Sequence, residues 1–111
     1  MRAGDVVRID FGVPIGSEPG FVRPAVVVTA DLVLEARPRT IHVVPITSNT
    51  RRRLPTEVPV SAAALDRPSA AQCHLCTVVR IQRVEEGDFG EIGAAALAEV
   101  RSLLGDLLDI G

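Results

Sequence analysis

The feature that most constrains the fold is a run of four apolar residues, 25–28 (AVVV), that directly follows Pro24. A strand with one wet face alternates apolar and polar side chains, so this run predicts a strand at the centre of a sheet. Pro24 has no N–H to donate to a ladder and disfavours helix at Arg23. Arg23 is therefore expected where a loop becomes a strand. There its guanidinium either binds an anion or is a solvated group at the sheet edge.

Short strands dominate the rest of the first 83 residues. Residues 5–11 alternate apolar and polar side chains, which predicts a half-buried strand. Residues 40–47 and 56–60 predict two more strands. Residues 12–22 form a loop rich in Gly and Pro, and a loop of this length in a small domain is often functional. The mixed residues 31–39 give no firm assignment.

The end of the chain changes to helical spacing, which predicts a C-terminal helix docked on the sheet. The apolar stripe lies within residues 94–108 and comprises Leu97, Val100, Leu103, Leu104, Leu107 and Leu108. The fold class expected is therefore mainly β with a C-terminal helix, in which five or six strands form a small barrel-like sheet. A length of 111 residues predicts one domain, strand-rich over 1–83 and helical over about 94–108.

The net charge of −2 is unevenly distributed. Residues 1–83 hold eleven of the twelve basic residues and seven acidic ones, whereas residues 84–111 hold one basic and seven acidic residues. A phosphate backbone is therefore expected to bind the strand-rich part. No apolar run approaches the length of a membrane span, and the N-terminus has no signal-type segment. We expect a cytoplasmic protein with no membrane partner.

The sequence CHLC at 73–76 has the spacing of a metal-binding or redox motif. Residues 71–83 nevertheless alternate apolar and polar side chains, which predicts one strand. Residues three apart in a strand point to opposite faces, so the two cysteines are not expected to share a metal ion. The same alternation places Gln72, His74 and Arg80 on one polar face. That face either lines a groove for a ligand or is the solvated side of the sheet.

Short polar side chains and guanidinium groups are concentrated just after the strand at 40–47. The segment reads Thr47, Ser48, Asn49, Thr50, Arg51, Arg52 and Arg53. Hydroxyl, amide and guanidinium groups are common phosphate ligands, so this segment is a candidate for phosphate binding. The alternative is an ordinary polar turn with a solvated run of charge.

Three motifs occur in a fixed order in the first half of the chain. They are GDVV at 4–7, GSEPG at 16–20 followed by RPAVVV at 23–28, and PITS at 45–48. In this order and spacing they resemble the MazF/PemK family of toxin–antitoxin endoribonucleases. The second half of the chain fits the family in length and pattern but matches few residues.

The resemblance implies an SH3-like barrel of the MazF, PemK and CcdB type, a homodimer, and a groove for single-stranded RNA across the dimer interface. It implies sequence-specific cleavage to 2′,3′-cyclic phosphate and 5′-hydroxyl ends, without metal or cofactor, and a cognate antitoxin that covers the groove. Arg23 and Thr47 match the family's catalytic positions, and Glu18 is the nearest candidate general base. The candidate RNA-binding residues are Ser17, Pro24, Ser48, Asn49, Arg51, Arg52, Arg53, Gln72, His74 and Arg80.

The sequence departs from the family pattern in residues 71–83. Many members carry Gln-x-Arg there, whereas this chain has Leu75 and Thr77, or Arg80 in a shifted register. The RNA sequence and the class of RNA that is cleaved, whether mRNA, tRNA or rRNA, therefore cannot be read from this strand. Two other classes stay open, a gyrase-binding toxin of the CcdB type and a non-catalytic SH3-like binding domain. The motifs around Arg23 and Thr47 favour the nuclease.

Overall fold

The structure, a computed structural model, describes residues 1–13, 15–16, 20–51 and 53–111. Three predicted site residues, Ser17, Glu18 and Arg52, lie outside these residues. The described chain forms seven strands and two α-helices. The strands are β1 (Val6–Asp10), β2 (Val22–Val27), β3 (Thr40–Thr47), β4 (Glu57–Val60), β5 (Ser69–Gln72), β6 (Thr77–Arg80) and β7 (Val84–Glu85), and the helices are α1 (Asp31–Glu35) and α2 (Ala94–Leu108).

Strand β3 lies at the centre of the sheet and pairs with three antiparallel neighbours. Its first half, residues 40–43, pairs with β6, residues 43–45 pair with β2, and Ile46 and Thr47 pair with β5. The strand order is β4-β5-β3-β2-β1-β7, with β6 also beside β3. Within the described residues no ladder joins the outer strands, so the barrel-like sheet is not closed. Seven strands form where five or six were expected, and β7 has only two residues.

The central strands bury both of their faces, as the apolar run at 25–28 predicts. Successive side chains of a strand point to opposite sides, so Val26 and Val44 belong to one core cluster and Val27 and Val43 belong to another. All four side chains are fully buried. This two-sided burial fixes β2 and β3 in place, and Arg23 and Thr47 lie at the adjacent ends of these strands.

Helix α2 covers the cluster that contains Val26. Val100 is buried in that cluster, and Leu97, Leu103 and Leu104 pack against it. The prediction for the last two residues of the stripe is wrong, because Leu107 and Leu108 are 43% and 66% exposed. The helix contacts β4 and the turn after β5, and its last turn extends past these neighbours. No helix in the described part of the chain is long and apolar enough to cross a membrane.

Residues 71–83 do not form one strand, and this prediction is wrong. Strand β5 ends at Gln72, whose ψ of 82° leaves the extended region, and a 3₁₀ turn follows over Cys73–Leu75. The break is necessary because β5 and β6 pair with opposite ends of β3. Gln72, His74 and Arg80 therefore do not share one continuous face.

Candidate active site

Arg23 lies near the start of β2, where the loop after β1 meets the sheet. The ladder between β2 and β3 ends at the pair Ala25–Pro45, and the same register continued by two residues would set Arg23 opposite Thr47. The guanidinium reaches across this end of the sheet. Its Nη2 atom donates hydrogen bonds of 3.1 Å to the Ile46 carbonyl oxygen and 3.1 Å to Oε1 of Gln72.

Both acceptors of the Arg23 guanidinium are neutral. The ion pairs within the described residues join Met1 to Glu86, Arg2 to Asp31 and Arg8 to Glu85, so no described carboxylate compensates the charge of Arg23. Burial lowers the pKa of Arg23, but an arginine remains protonated at neutral pH. Because the two hydrogen bonds use only Nη2, they leave the Nε and Nη1 donors for a ligand.

Thr47 is the last residue of β3 and keeps a hydroxyl proton to donate. Its Oγ1 accepts a hydrogen bond of 3.1 Å from the backbone N–H of Asn49, and a hydroxyl that accepts can still donate its own proton. Its partner on β5 is Ala70, whose side chain is too short to cover the hydroxyl. Ser48 follows and is exposed.

An open cleft of about 420 Å³ brings four predicted site residues together. Arg23, Pro24, Thr47 and Ser48 all line it. They come from two distant motifs, and the pairing of β2 with β3 joins them. A permanent cation and a hydroxyl donor on one side of an open cleft can bind a phosphate group.

The other side of this cleft is the loop between β4 and β5, which the sequence analysis did not predict to be part of the site. The loop contributes an acidic and a basic side chain, Asp66 and Arg67, both exposed. The buried Ser69 shapes this loop by donating a hydrogen bond of 2.9 Å from its hydroxyl to the Arg67 carbonyl oxygen. In the sequence, the only signal for this part of the site was a pair of adjacent opposite charges just before a strand. The strand order β4-β5-β3 is what shows that this pair lies beside Thr47.

The remaining polar residues of the 71–83 segment divide between two places. Gln72 contacts Arg23, whereas His74 and Arg80 line a second cleft of about 830 Å³, which Phe11 and Arg83 also line. The Nδ1 atom of His74 lies 2.8 Å from Oγ1 of Thr56. This second cleft therefore contains two cationic side chains, Arg80 and Arg83, in addition to those in the cleft that contains Arg23.

The other candidates for RNA binding lie in the loop after β3. Asn49, Arg51 and Arg53 are exposed, and none of the three lines the cleft around Arg23. Asn49 contributes through its backbone, which donates to Thr47. The roles of Ser17, Glu18 and Arg52 remain predictions.

The two cysteines lie in a tight turn, so the strand argument against a shared metal ion does not hold. The N–H of Cys76 donates a hydrogen bond of 3.1 Å to the carbonyl oxygen of Cys73, and both side chains pack in the same core cluster. Burial, with a smaller effect from Cys76, raises the pKa of Cys73 to about 11, and burial also raises the pKa of Cys76. The described residues contain no group of three or more His, Cys, Asp and Glu side chains placed to hold a metal ion. The two thiols act as small apolar groups of the core.

Sequence comparison places the chain beside one family of bacterial toxins. Residues 2–108 match a family model described as the PemK-like, MazF-like toxin of type II toxin–antitoxin systems. The chain is 33% identical to endoribonuclease MazF9 of Mycobacterium tuberculosis, with 99% of this chain and 98% of the relative covered. It is 30% identical to endoribonuclease MazF6 of the same species, again with 99% and 98% covered.

Solved structures give the same result. MazF from Deinococcus radiodurans has a TM-score of 0.81 at 29% identity, covering 98% of this chain and 96% of that one. A MazE–MazF structure from the same organism has a TM-score of 0.75 at 27% identity, covering 100% and 97%. Together these likenesses confirm the family resemblance, the fold class and the toxin endoribonuclease predicted from the sequence.

Proposed function

The chain belongs to the PemK-like, MazF-like family of type II toxins, and on this premise we propose that Arg23 and Thr47 form its catalytic pair. The reaction is sequence-specific, metal-independent cleavage of single-stranded RNA to 2′,3′-cyclic phosphate and 5′-hydroxyl ends. The observation that carries the proposal is the Arg23 guanidinium, which neutral acceptors hold in an open cleft beside the Thr47 hydroxyl.

Arg23 stabilises the negative charge that develops on the phosphorus as the 2′-oxygen attacks. A preorganised donor favours the transition state most when it does not have to reorganise and when no counter-ion neutralises it. Within the described residues both conditions are met, since Gln72 and the Ile46 carbonyl fix the guanidinium without cancelling its charge. The Nε and Nη1 donors, which these two hydrogen bonds leave unused, contact the phosphorane oxygens.

The Thr47 hydroxyl donates a hydrogen bond to a non-bridging phosphate oxygen. The hydrogen bond from Asn49 occupies a lone pair of Oγ1 and so favours rotamers in which the proton points elsewhere. A neutral donor contributes less than a guanidinium, so Thr47 chiefly positions the phosphate against Arg23.

A carboxylate removes the 2′-hydroxyl proton, and we assign this role to Glu18, with the loop closing on substrate. Asp66 is the carboxylate that lines the cleft within the described residues, and it is the competing candidate. The bond between phosphorus and the 5′-oxygen breaks as the 2′-oxygen attacks, and the leaving 5′-oxygen takes a proton from water to give the 5′-hydroxyl end.

The proposed partners are RNA, an antitoxin and a second copy of the chain. Single-stranded RNA lies along Arg23, Arg67, His74 and Arg80, in a groove that continues across a homodimer interface. Ser17, Pro24, Ser48, Asn49 and the three arginines at 51–53 contact its backbone and bases. The MazE–MazF structure of the Deinococcus toxin supports a cognate antitoxin, and we propose that an acidic segment of this antitoxin covers the basic surface. We also propose that residues 1–111 act as one domain and that the protein acts in the cytoplasm, where its RNA substrate is.

The proposal is tested by incubating the purified protein with long, weakly structured RNAs in excess chelator and identifying both new ends. We expect discrete cuts with 2′,3′-cyclic phosphate and 5′-hydroxyl ends, and much weaker cleavage by Thr47→Val than by Thr47→Ser. Products with 5′-phosphates, or cleavage that stops with chelator, would contradict the mechanism. Varied RNAs left intact would contradict the nuclease, and trapping of gyrase on DNA would then identify the other toxin class.

A further inference from the structure

Phe21 combines an exposed aromatic ring with a strained backbone. Its side chain is 68% exposed, and its φ is +58°, in the left-handed region. That conformation costs an L-residue free energy, and a bulky side chain there is a genuine outlier. A glycine at this position would remove both the strain and the exposed apolar surface, so folding alone gives no reason for the phenylalanine.

Two backbone hydrogen bonds hold Phe21 in this conformation. Its N–H donates to the Gly12 carbonyl oxygen at 2.6 Å, and its carbonyl accepts from the N–H of Phe11 at 2.9 Å. These bonds close the hairpin next to the pair Asp10–Val22, where the β1–β2 ladder ends. Strain that the surrounding structure fixes in this way is typical of functional positions.

The chain has three phenylalanines, no Trp and no Tyr. Phe21 differs from the other two phenylalanines. Phe11 and Phe89 pack against the two core clusters, whereas Phe21 contributes to neither. It precedes Arg23 by two residues, and two residues of extended chain span at most about 7 Å. The ring therefore projects from the backbone that positions the phosphate-binding guanidinium.

We propose that the Phe21 ring is a stacking platform for an unpaired nucleobase of the RNA, next to the phosphate that Arg23 binds. This inference rests on the proposed function. Single-stranded nucleic acid is bound by aromatic rings on which bases stack and by cations that contact the backbone between them. Phe21 itself does not line the cleft, and its left-handed φ lies at the turn of the chain two residues before Arg23.

The surroundings of Phe21 offer one competing occupant. Val13 and Ile15, on the same loop, are also exposed, and an apolar segment of the antitoxin would suit such a surface. Phe21 lies two residues from a cation, Arg23, that no described carboxylate pairs with. This position favours a base, because the base and its phosphate then bind to consecutive parts of one strand. RNA binding and antitoxin inhibition, both measured on Phe21 variants, separate the two occupants.

The direct test is Phe21→Trp, which introduces the only indole of the chain. The protein is titrated with an RNA that contains the cleaved sequence but carries a 2′-deoxy group at the cut, so that it binds without being cleaved. We expect strong quenching of the indole fluorescence as the base stacks, and cleavage of normal RNA at close to the wild-type rate. Leu32→Trp is the matched control, since Leu32 is 79% exposed on α1, and it is expected to show no quenching.

Two further variants separate stacking from a structural role. Phe21→Leu keeps an apolar side chain but loses the ring, and it is expected to raise KM by about five- to 150-fold with little change in kcat. Phe21→Gly is expected to raise KM equally while unfolding at the same or a higher denaturant concentration, because glycine adopts this φ without strain. Phe21→Tyr, which keeps an aromatic ring, is expected to leave KM close to the wild-type value.

An unquenched indole in Phe21→Trp or an unchanged KM in Phe21→Leu would overturn the proposal. Weaker inhibition by antitoxin with an unchanged KM would overturn it in favour of a protein contact. If the wild type cleaves no RNA, the titration uses a random pool of 2′-O-methyl oligonucleotides. Quenching would then support base stacking on Phe21 although the nuclease proposal had failed. Cleavage of RNA without quenching would support the nuclease proposal and overturn the stacking proposal.

Discussion

The Nη2 atom of Arg23 donates a hydrogen bond of 3.1 Å to Oε1 of Gln72, a residue 49 positions further along the chain. The bond joins the start of β2 to the end of β5, across the last residues of β3. Since the acceptor is an uncharged amide, it orients the guanidinium and leaves its charge for a phosphate.

Gln72→Leu should reduce kcat/KM by about tenfold or more, the usual value of a hydrogen bond to a charged group. The guanidinium loses one of its two acceptors and no longer has a fixed orientation. Steady-state kinetics on one cleaved RNA would measure the effect. Gln82→Leu, at an exposed position outside the Arg23 cleft, is the control and should stay close to wild type. An unchanged kcat/KM in Gln72→Leu would exclude a positioning role for this amide.

Glu18→Gln should lower kcat by about 10²- to 10⁴-fold, the contribution of a general base. Asp66→Asn should have a much smaller effect, because Asp66 only lines the cleft. The comparison is made by single-turnover cleavage, which isolates the chemical step. If Asp66→Asn were the variant with the larger loss, the base would be Asp66 and our assignment of Glu18 would be wrong.

Gly90→Ala should destabilise the fold considerably more than Gly93→Ala. Both glycines have positive φ, +87° and +85°, so each substitution carries a backbone cost of about 1–3 kcal/mol. A Cβ at Gly90 would also lie 2.7 Å from the backbone nitrogen of Ala63, whereas a Cβ at Gly93 would meet nothing within 4 Å. Urea denaturation of both variants measures the difference, and equal losses of stability would show that Ala63 moves aside without cost.

Stability should fall as the pH rises from about 9 to about 11. The pKa of Cys73 is raised from 9.0 to about 11, so within this window the unfolded thiol loses its proton while the folded thiol keeps it. The unfolded state then binds fewer protons, and the free energy of unfolding decreases with pH. The chain contains no Lys and no Tyr, so few other groups titrate there.

Denaturant midpoints measured from pH 8 to pH 11 test this expectation. Cys73→Ala should be less stable at pH 8 but should lose less stability per pH unit above 9. In the double variant that also lacks Cys76, the free energy of unfolding should depend even less on pH, because burial raises the pKa of that thiol as well. If the free energy of unfolding fell equally with pH in the wild type and in the variants, neither thiol would be protected from ionisation in the folded state.

The parts of the site that could be predicted from the sequence are those with local causes. Pro24 and the apolar run after it fix Arg23 at the start of a buried strand, and the motif at 45–48 ends β3 at Thr47. The parts that could not be predicted depend on which strands meet. Asp66 reaches the site because β5 pairs with β3. The alternation of 71–83 conceals a break, because β5 and β6 pair with opposite ends of the same strand.

The measurement that tests the central claim most directly is kcat/KM for RNA cleavage by Arg23→Ala beside Arg8→Ala. Arg8 is a matched control, since it lies on β1 opposite Pro24 and its guanidinium is 3.8 Å from Glu85. We predict a loss of about 10²- to 10³-fold or more for Arg23→Ala, as for removal of one preorganised transition-state donor, and near wild-type activity for Arg8→Ala. Equal activity of the two variants, with both folded, would contradict the assignment of Arg23 as the catalytic cation.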